Sequence, residues 1–90
     1  MTDKIMLKLY ITGHTPRSEQ AISNLRRICE ERLSEQYELE IVDILEQPDL
    51  AEQEKIIATP TLIRVSPPPA RRVIGDLSDT KKVLFGLSLY

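Results

Sequence analysis

Ile57-Ala58-Thr59-Pro60-Thr61-Leu62 is the stretch on which the fold turns. Proline has a fixed φ and no N–H, so it is excluded from the middle of a central ladder but suits a strand's first residue. Pro60 therefore reads as the entry to a buried strand carried by Leu62, Ile63 and Val65. The residues leave its isomer open. Cis forms make up about 5–6% of X–Pro bonds in folded proteins, and a trans proline separating a helix from a strand fits the same letters.

Upstream, Lys4 to Thr12 alternates, with Ile5, Leu7, Leu9 and Ile11 on one face, which predicts a strand. Thr15-Pro16 then opens a helix. Threonine caps, proline suits the first helical position, and Glu19 stands where the helix dipole favours an anion. Ala21, Ile22, Leu25, Ile28, Cys29 and Leu33 recur at helical spacing as one apolar stripe. Glu38 to Leu45 is a second strand, and two strands joined by a long helix imply a parallel βαβ unit. Pro48 starts a short helix ahead of the strand from Thr61 to Val65.

Downstream, Ser66-Pro67-Pro68-Pro69 is a stiff connector. Arg71 to Gly75 is a last strand. Gly75-Asp76-Leu77-Ser78 is a turn ending in a cap, with Val83, Leu84, Leu87 and Tyr90 as the stripe of a final helix. The predicted order, β-α-β-α-β-β-α, is that of a thioredoxin-like fold with a mixed sheet, in one domain spanning 1–90.

Ninety residues allow one domain with a modest core. A formal charge of −2 gives no electrostatic reason to expect nucleic acid or an anionic membrane. The single cysteine cannot form an internal disulfide, which fits a cytoplasmic protein. The start has no basic and then apolar segment of a signal peptide, and no run reaches the length of a membrane span.

In a thioredoxin-like fold the redox cysteines stand in the loop opening the first helix. Here that loop is Gly13-His14-Thr15-Pro16-Arg17, without cysteine. Cys29 falls in the apolar stripe, as a small hydrophobe does. His14 is the only histidine, and one histidine and one cysteine on separate elements make neither a metal site nor a nucleophile–base pair. No glycine-rich phosphate loop is present. Neither catalytic residues nor a cofactor is expected. Lys55, Arg64, Arg71 and Arg72 cluster around the last two strands of an otherwise acidic chain. They suit edge-strand protection or a surface for an acidic protein partner.

Lys8-Leu9-Tyr10, Gly13-x-Thr15-Pro16-x-Ser18, Val42-Asp43-Ile44-Leu45-x-x-Pro48, Lys55-Ile56-x-Ala58-Thr59-Pro60-Thr61-Leu62 and Pro69-x-Arg71-Arg72-Val73-Ile74-Gly75-Asp76-Leu77-Ser78-Asp79 together resemble the KaiB family of circadian clock proteins, from about Lys4 to Tyr90. The resemblance implies a non-enzymatic regulator that binds the N-terminal ATPase ring of the kinase KaiC after ATP hydrolysis, captures KaiA and displaces the kinase SasA. It implies Lys55, Arg64, Arg71 and Arg72 as KaiC-binding residues. It also implies two folds: a monomeric thioredoxin-like binding form, and a resting α+β form (β-α-β-β-α-α-β) that self-associates to a dimer or tetramer. The second half, short of apolar residues and rich in proline, suits two packings of similar energy. Pro60, Gly86 and Ser88 are the candidate switch positions. X–Pro bonds interconvert slowly, glycine lowers helix propensity by about 1 kcal/mol relative to alanine, and Ser88 replaces an acid that a helix C-terminus disfavours. Gly86→Ala is accordingly expected to favour the thioredoxin-like form.

Gln20, Glu38 and Glu40 depart from the family's KaiA-gripping pattern of Arg, Ala and Lys, and a reversed charge discriminates strongly between partners. Capture of KaiA is therefore not expected, as in a reduced KaiB–KaiC system. Three alternatives stand beside this reading: a stress-related KaiB-like protein with another partner, the sensor module of a SasA-type histidine kinase, and a thiol oxidoreductase.

Overall fold

A computed structural model describes residues 4–34 and 36–89. The elements run β1 (Ile5–Ile11), α1 (Pro16–Arg32), β2 (Tyr37–Asp43), α2 (Pro48–Gln53), β3 (Thr61–Ser66), β4 (Arg71–Ile74) and α3 (Thr80–Gly86). This is the β-α-β-α-β-β-α order expected from the sequence, not the alternative β-α-β-β-α-α-β. The sheet order is β2-β1-β3-β4, with β1 parallel to β2 and antiparallel to β3, and β3 antiparallel to β4.

Strand alternation sorts the residues between two faces. On one, Leu7, Leu9, Ile11 and Leu62 meet Ala21, Leu25, Ile28 and Cys29 of α1, Val83 and Leu84 of α3 and Leu87 at its C-cap in the main core. On the other, Tyr10, Val42 and Ile63 form a smaller cluster with Ile44, Leu50 and Ile56. With six residues, α2 is too short to cover that face, and Met6 and Val65 stay exposed there.

Local chemistry sets the boundaries. Thr15 caps α1 by accepting from the Ser18 amide at 3.1 Å, with Pro16 following it. Strand β2 ends at Asp43, two residues before the expected Leu45. The Asp43 carboxylate accepts from the amides of Gly13 (2.9 Å) and Leu45 (3.0 Å), which turns the chain out of the ladder. Those two N–H groups hold the Asp43 carboxyl below the usual carboxylate range. The cap of α3 is Asp79, one residue beyond the expected Ser78, and it accepts from the Lys82 amide at 3.1 Å. The Ser78 amide instead donates to Asp76.

The largest shift from expectation is at the end of α3. The stripe was read through to Tyr90, which lies outside the described residues, but the helix closes at Gly86. The Leu89 amide donates to the Leu84 carbonyl at 2.8 Å and the Ser88 amide to the Phe85 carbonyl at 3.1 Å. That pair of bonds, with Ser88 at φ +56, is a Schellman closure. Ser88 thus occupies the left-handed position that glycine usually takes. The Thr59–Pro60 bond is cis, which answers the isomer question at the entry to β3.

Candidate functional site

Of the four clustered cations, Lys55 follows Glu54, the C-cap of α2, and has a positive φ of 55. Its amide donates to the Glu52 carbonyl at 3.2 Å, and its side chain is exposed. Arg71 and Arg72 are neighbours on edge strand β4, both exposed, and alternation points them to opposite faces of the sheet. Arg72 shares the face of α2. Its Nη2 donates to the Glu54 carbonyl at 3.0 Å and its Nη1 to the Lys55 carbonyl at 3.5 Å. No ion pair among the described residues engages Lys55 or Arg71.

Arg64 departs from the sequence expectation of a partner-facing residue. It is 5% exposed, opposite Leu7 on the main-core face. Its Nε donates to the Leu87 carbonyl at 2.6 Å, its Nη1 to the Pro67 carbonyl and its Nη2 to the Pro69 carbonyl at 3.3 Å. All three guanidinium nitrogens are thus engaged inside this form of the protein. The signal for this was present in the strand period. Leu62 and Arg64 must share a face, and Leu62 belongs to the main core.

Two apolar side chains that were not among the expected partner-binding residues lie in the same two segments. Ile57 is 88% exposed just after Lys55, and Ile74 is exposed at the end of β4. Exposed aliphatic groups and cations are the kinds of side chain that protein ligands engage.

The switch candidates lie elsewhere. Pro60 is buried at the head of β3, and Ser88 closes α3 as described. Gly86 abuts β4: a Cβ built there would meet Val73 Cγ2 at 2.6 Å. The propensity argument for Gly86→Ala therefore meets an opposing contact. A cleft of about 110 Å³ lined by Val73, Leu77, Lys82 and Val83 gives the valine room to turn. The expected outcome is coupling. Gly86→Ala should gain less stability in the natural background than in a Val73→Ala background, by about 1 kcal/mol. Urea unfolding of the four proteins in a double-mutant cycle measures this, and additive effects would refute the contact.

Glu38 and Glu40 stand on edge strand β2. Glu38 lies 3.8 Å from Lys4 Nζ and Glu40 3.9 Å from Lys8 Nζ, and all but Lys8 have side chains more than half exposed. Exposed pairs of this length contribute about 0–1 kcal/mol, so the acids stay available to a partner. Gln20 is on the outside of α1, and its Nε2 donates to Asn24 Oδ1 at 3.1 Å.

The groups capable of chemistry are dispersed. Cys29 is fully buried in the main core, where burial pushes its thiol up to about 11, the reverse of nucleophile activation. His14 is exposed, with Nδ1 2.7 Å from Glu19 Oε1. Among the described residues, no three His, Cys, Asp or Glu side chains come together to hold a metal. No helix of the described residues is long and apolar enough to cross a membrane.

Comparison with known proteins places this geometry. Residues 8–89 match the model of the KaiB domain. The chain is 59% identical over 87 residues to the circadian clock protein KaiB3 of Synechocystis sp., covering 97% of this chain and 85% of that protein. It superposes on the N-terminal domain of SasA from Synechococcus elongatus with a TM-score of 0.80 at 20% identity, over 100% of this chain and 89% of that one. With mitochondrial thioredoxin 3 of Saccharomyces cerevisiae the TM-score is 0.75 at 14% identity, over 96% and 78%. The fold is thioredoxin-like.

Proposed function

Since the chain belongs to the KaiB family, we propose that it is a non-enzymatic clock regulator that binds the N-terminal ATPase ring of a KaiC-type kinase after ATP hydrolysis and thereby modulates the kinase's phosphorylation cycle. The observation that carries the proposal is the family match itself, which spans residues 8–89, the loop after α2 and the β3–β4 hairpin included. Exposed groups in those segments support it. Lys55 and Arg71 are exposed cations, and Ile57 and Ile74 are exposed apolar groups, Ile74 sharing the face of Arg72 and not that of Arg71.

Capture of KaiA does not belong to the proposal, because exposed Glu40 reverses the charge of the lysine in the KaiA-gripping pattern, Gln20 lacks the charge of its arginine, and Glu38 adds an acid where that pattern has alanine. Competition with a SasA-type kinase for the KaiC ring belongs to it, as does self-association in an alternative resting fold. The test is size-exclusion chromatography with light scattering on this protein mixed with a KaiC N-terminal ring, loaded with ADP or with a non-hydrolysable ATP analogue. A complex with the ADP ring is the expected result. Absence of a complex in both nucleotide states would sink the proposal and leave a KaiB-like module with another protein partner.

A further inference from the structure

Resting on that partner face, we infer that Arg64 and Arg72 are positioning residues that hold two helix C-termini against opposite faces of the sheet, leaving Lys55 and Arg71 as the cations that meet an acidic partner surface.

The last carbonyls of a helix lack intrahelical donors and carry the negative end of its dipole, so a cation near them is favourable. Helix α1 has Arg32 in its own last turn, whereas α2 and α3 have no basic residue in theirs. The sheet supplies what they lack. Arg64 from β3 reaches the carbonyl of Leu87, the C-cap of α3. Arg72 from β4 reaches, on the other face, the carbonyl of Glu54, the C-cap of α2. Arg64 also gathers the Pro67 and Pro69 carbonyls, and Arg72 that of Lys55.

This is work for a planar fork of donors aimed at several acceptors, which an ammonium, as a point charge, does not reproduce. Lys55 makes the case for Arg72. A residue with a Cβ at positive φ is held there by its surroundings, and the carbonyls on both sides of that backbone turn are the ones Arg72 grips. The charge at position 72 acts through the place it gives Lys55.

Charge-preserving substitutions separate the roles. Affinity for the ADP-loaded KaiC ring is measured over a range of salt for Arg72→Lys, Lys55→Ala and Arg71→Ala, and amide hydrogen exchange is followed in the free proteins. Lys55→Ala and Arg71→Ala should flatten the salt dependence, since exposed rim charges act through a screened field. Arg72→Lys should keep the natural salt dependence yet bind roughly fivefold or more weakly, about 1 kcal/mol. In the free protein it should speed exchange at Lys55 and Ile56, and Arg64→Lys should do so at Leu87, Ser88 and Leu89. Natural affinity together with natural exchange in Arg72→Lys would overturn the inference. If the natural protein fails to bind the ring, the partner reading falls while the exchange measurements still decide the two clamps.

Discussion

Arg64→Ala lowers the stability of this fold by about 2–4 kcal/mol in urea unfolding, the largest loss expected of any of the four clustered cations. The magnitude follows from what the side chain holds. Hydrogen bonds from a charged donor contribute about 1.5–3 kcal/mol each when buried, and leaving their acceptors unsatisfied costs a comparable amount. Three carbonyls depend on this one guanidinium, and two of them belong to prolines of the β3–β4 connector. Water entering the space made by the truncation recovers part of the loss, so the total stays below the sum of the three bonds. Arg64→Met, which retains the apolar stem, separates lost packing from lost donors. If Arg64→Met is as stable as the natural protein, the guanidinium does not hold the connector.

Tyr10→Phe changes stability in the opposite direction, by a gain of about 1–2 kcal/mol. Tyr10 is fully buried between the sheet and α2, and its hydroxyl has no hydrogen-bond partner among the described residues. A buried hydroxyl without a partner carries its full desolvation cost. Burial also pushes its phenol above the ordinary value, helped by the charges of Glu54 and Glu40 and opposed by that of Arg72. Phenylalanine keeps the ring against Val42 and Ile63 and removes the stranded oxygen. Thermal and urea unfolding read the gain, and a destabilised Tyr10→Phe would show that the hydroxyl is in fact satisfied.

The first half was legible because its signals are local. Alternation in β1, the stripe and cap of α1, and the proline before α2 each specify their element without help from distant residues. The order of elements followed, and with it the fold. The second half was legible in outline only. Arg64 looked like a surface charge because nothing near it in sequence announces the Leu87 carbonyl, 23 positions away, that receives it. Its neighbour Val65, apolar and 42% exposed, inverts the usual relation of hydropathy to burial, because α2 stops short of that part of the sheet. The end of α3 was misplaced because Leu87 and Tyr90 continue the apolar stripe of the sequence past Ser88, whose left-handed turn closes the helix. The cation cluster was visible as composition, but its division into clamps and exposed charges depends on strand parity and on where two helices end.

The connector between β3 and β4 has one more consequence. Pro67, Pro68 and Pro69 are three residues in succession that offer carbonyls and no amide hydrogens. That tip of the hairpin has no backbone donor to offer, and Arg64 already takes the carbonyls of Pro67 and Pro69. A stray β-strand needs both kinds of group in alternation to zip onto a neighbour. A strand therefore cannot pair with the connector itself, and any pairing at this side of the sheet is confined to the four residues of β4.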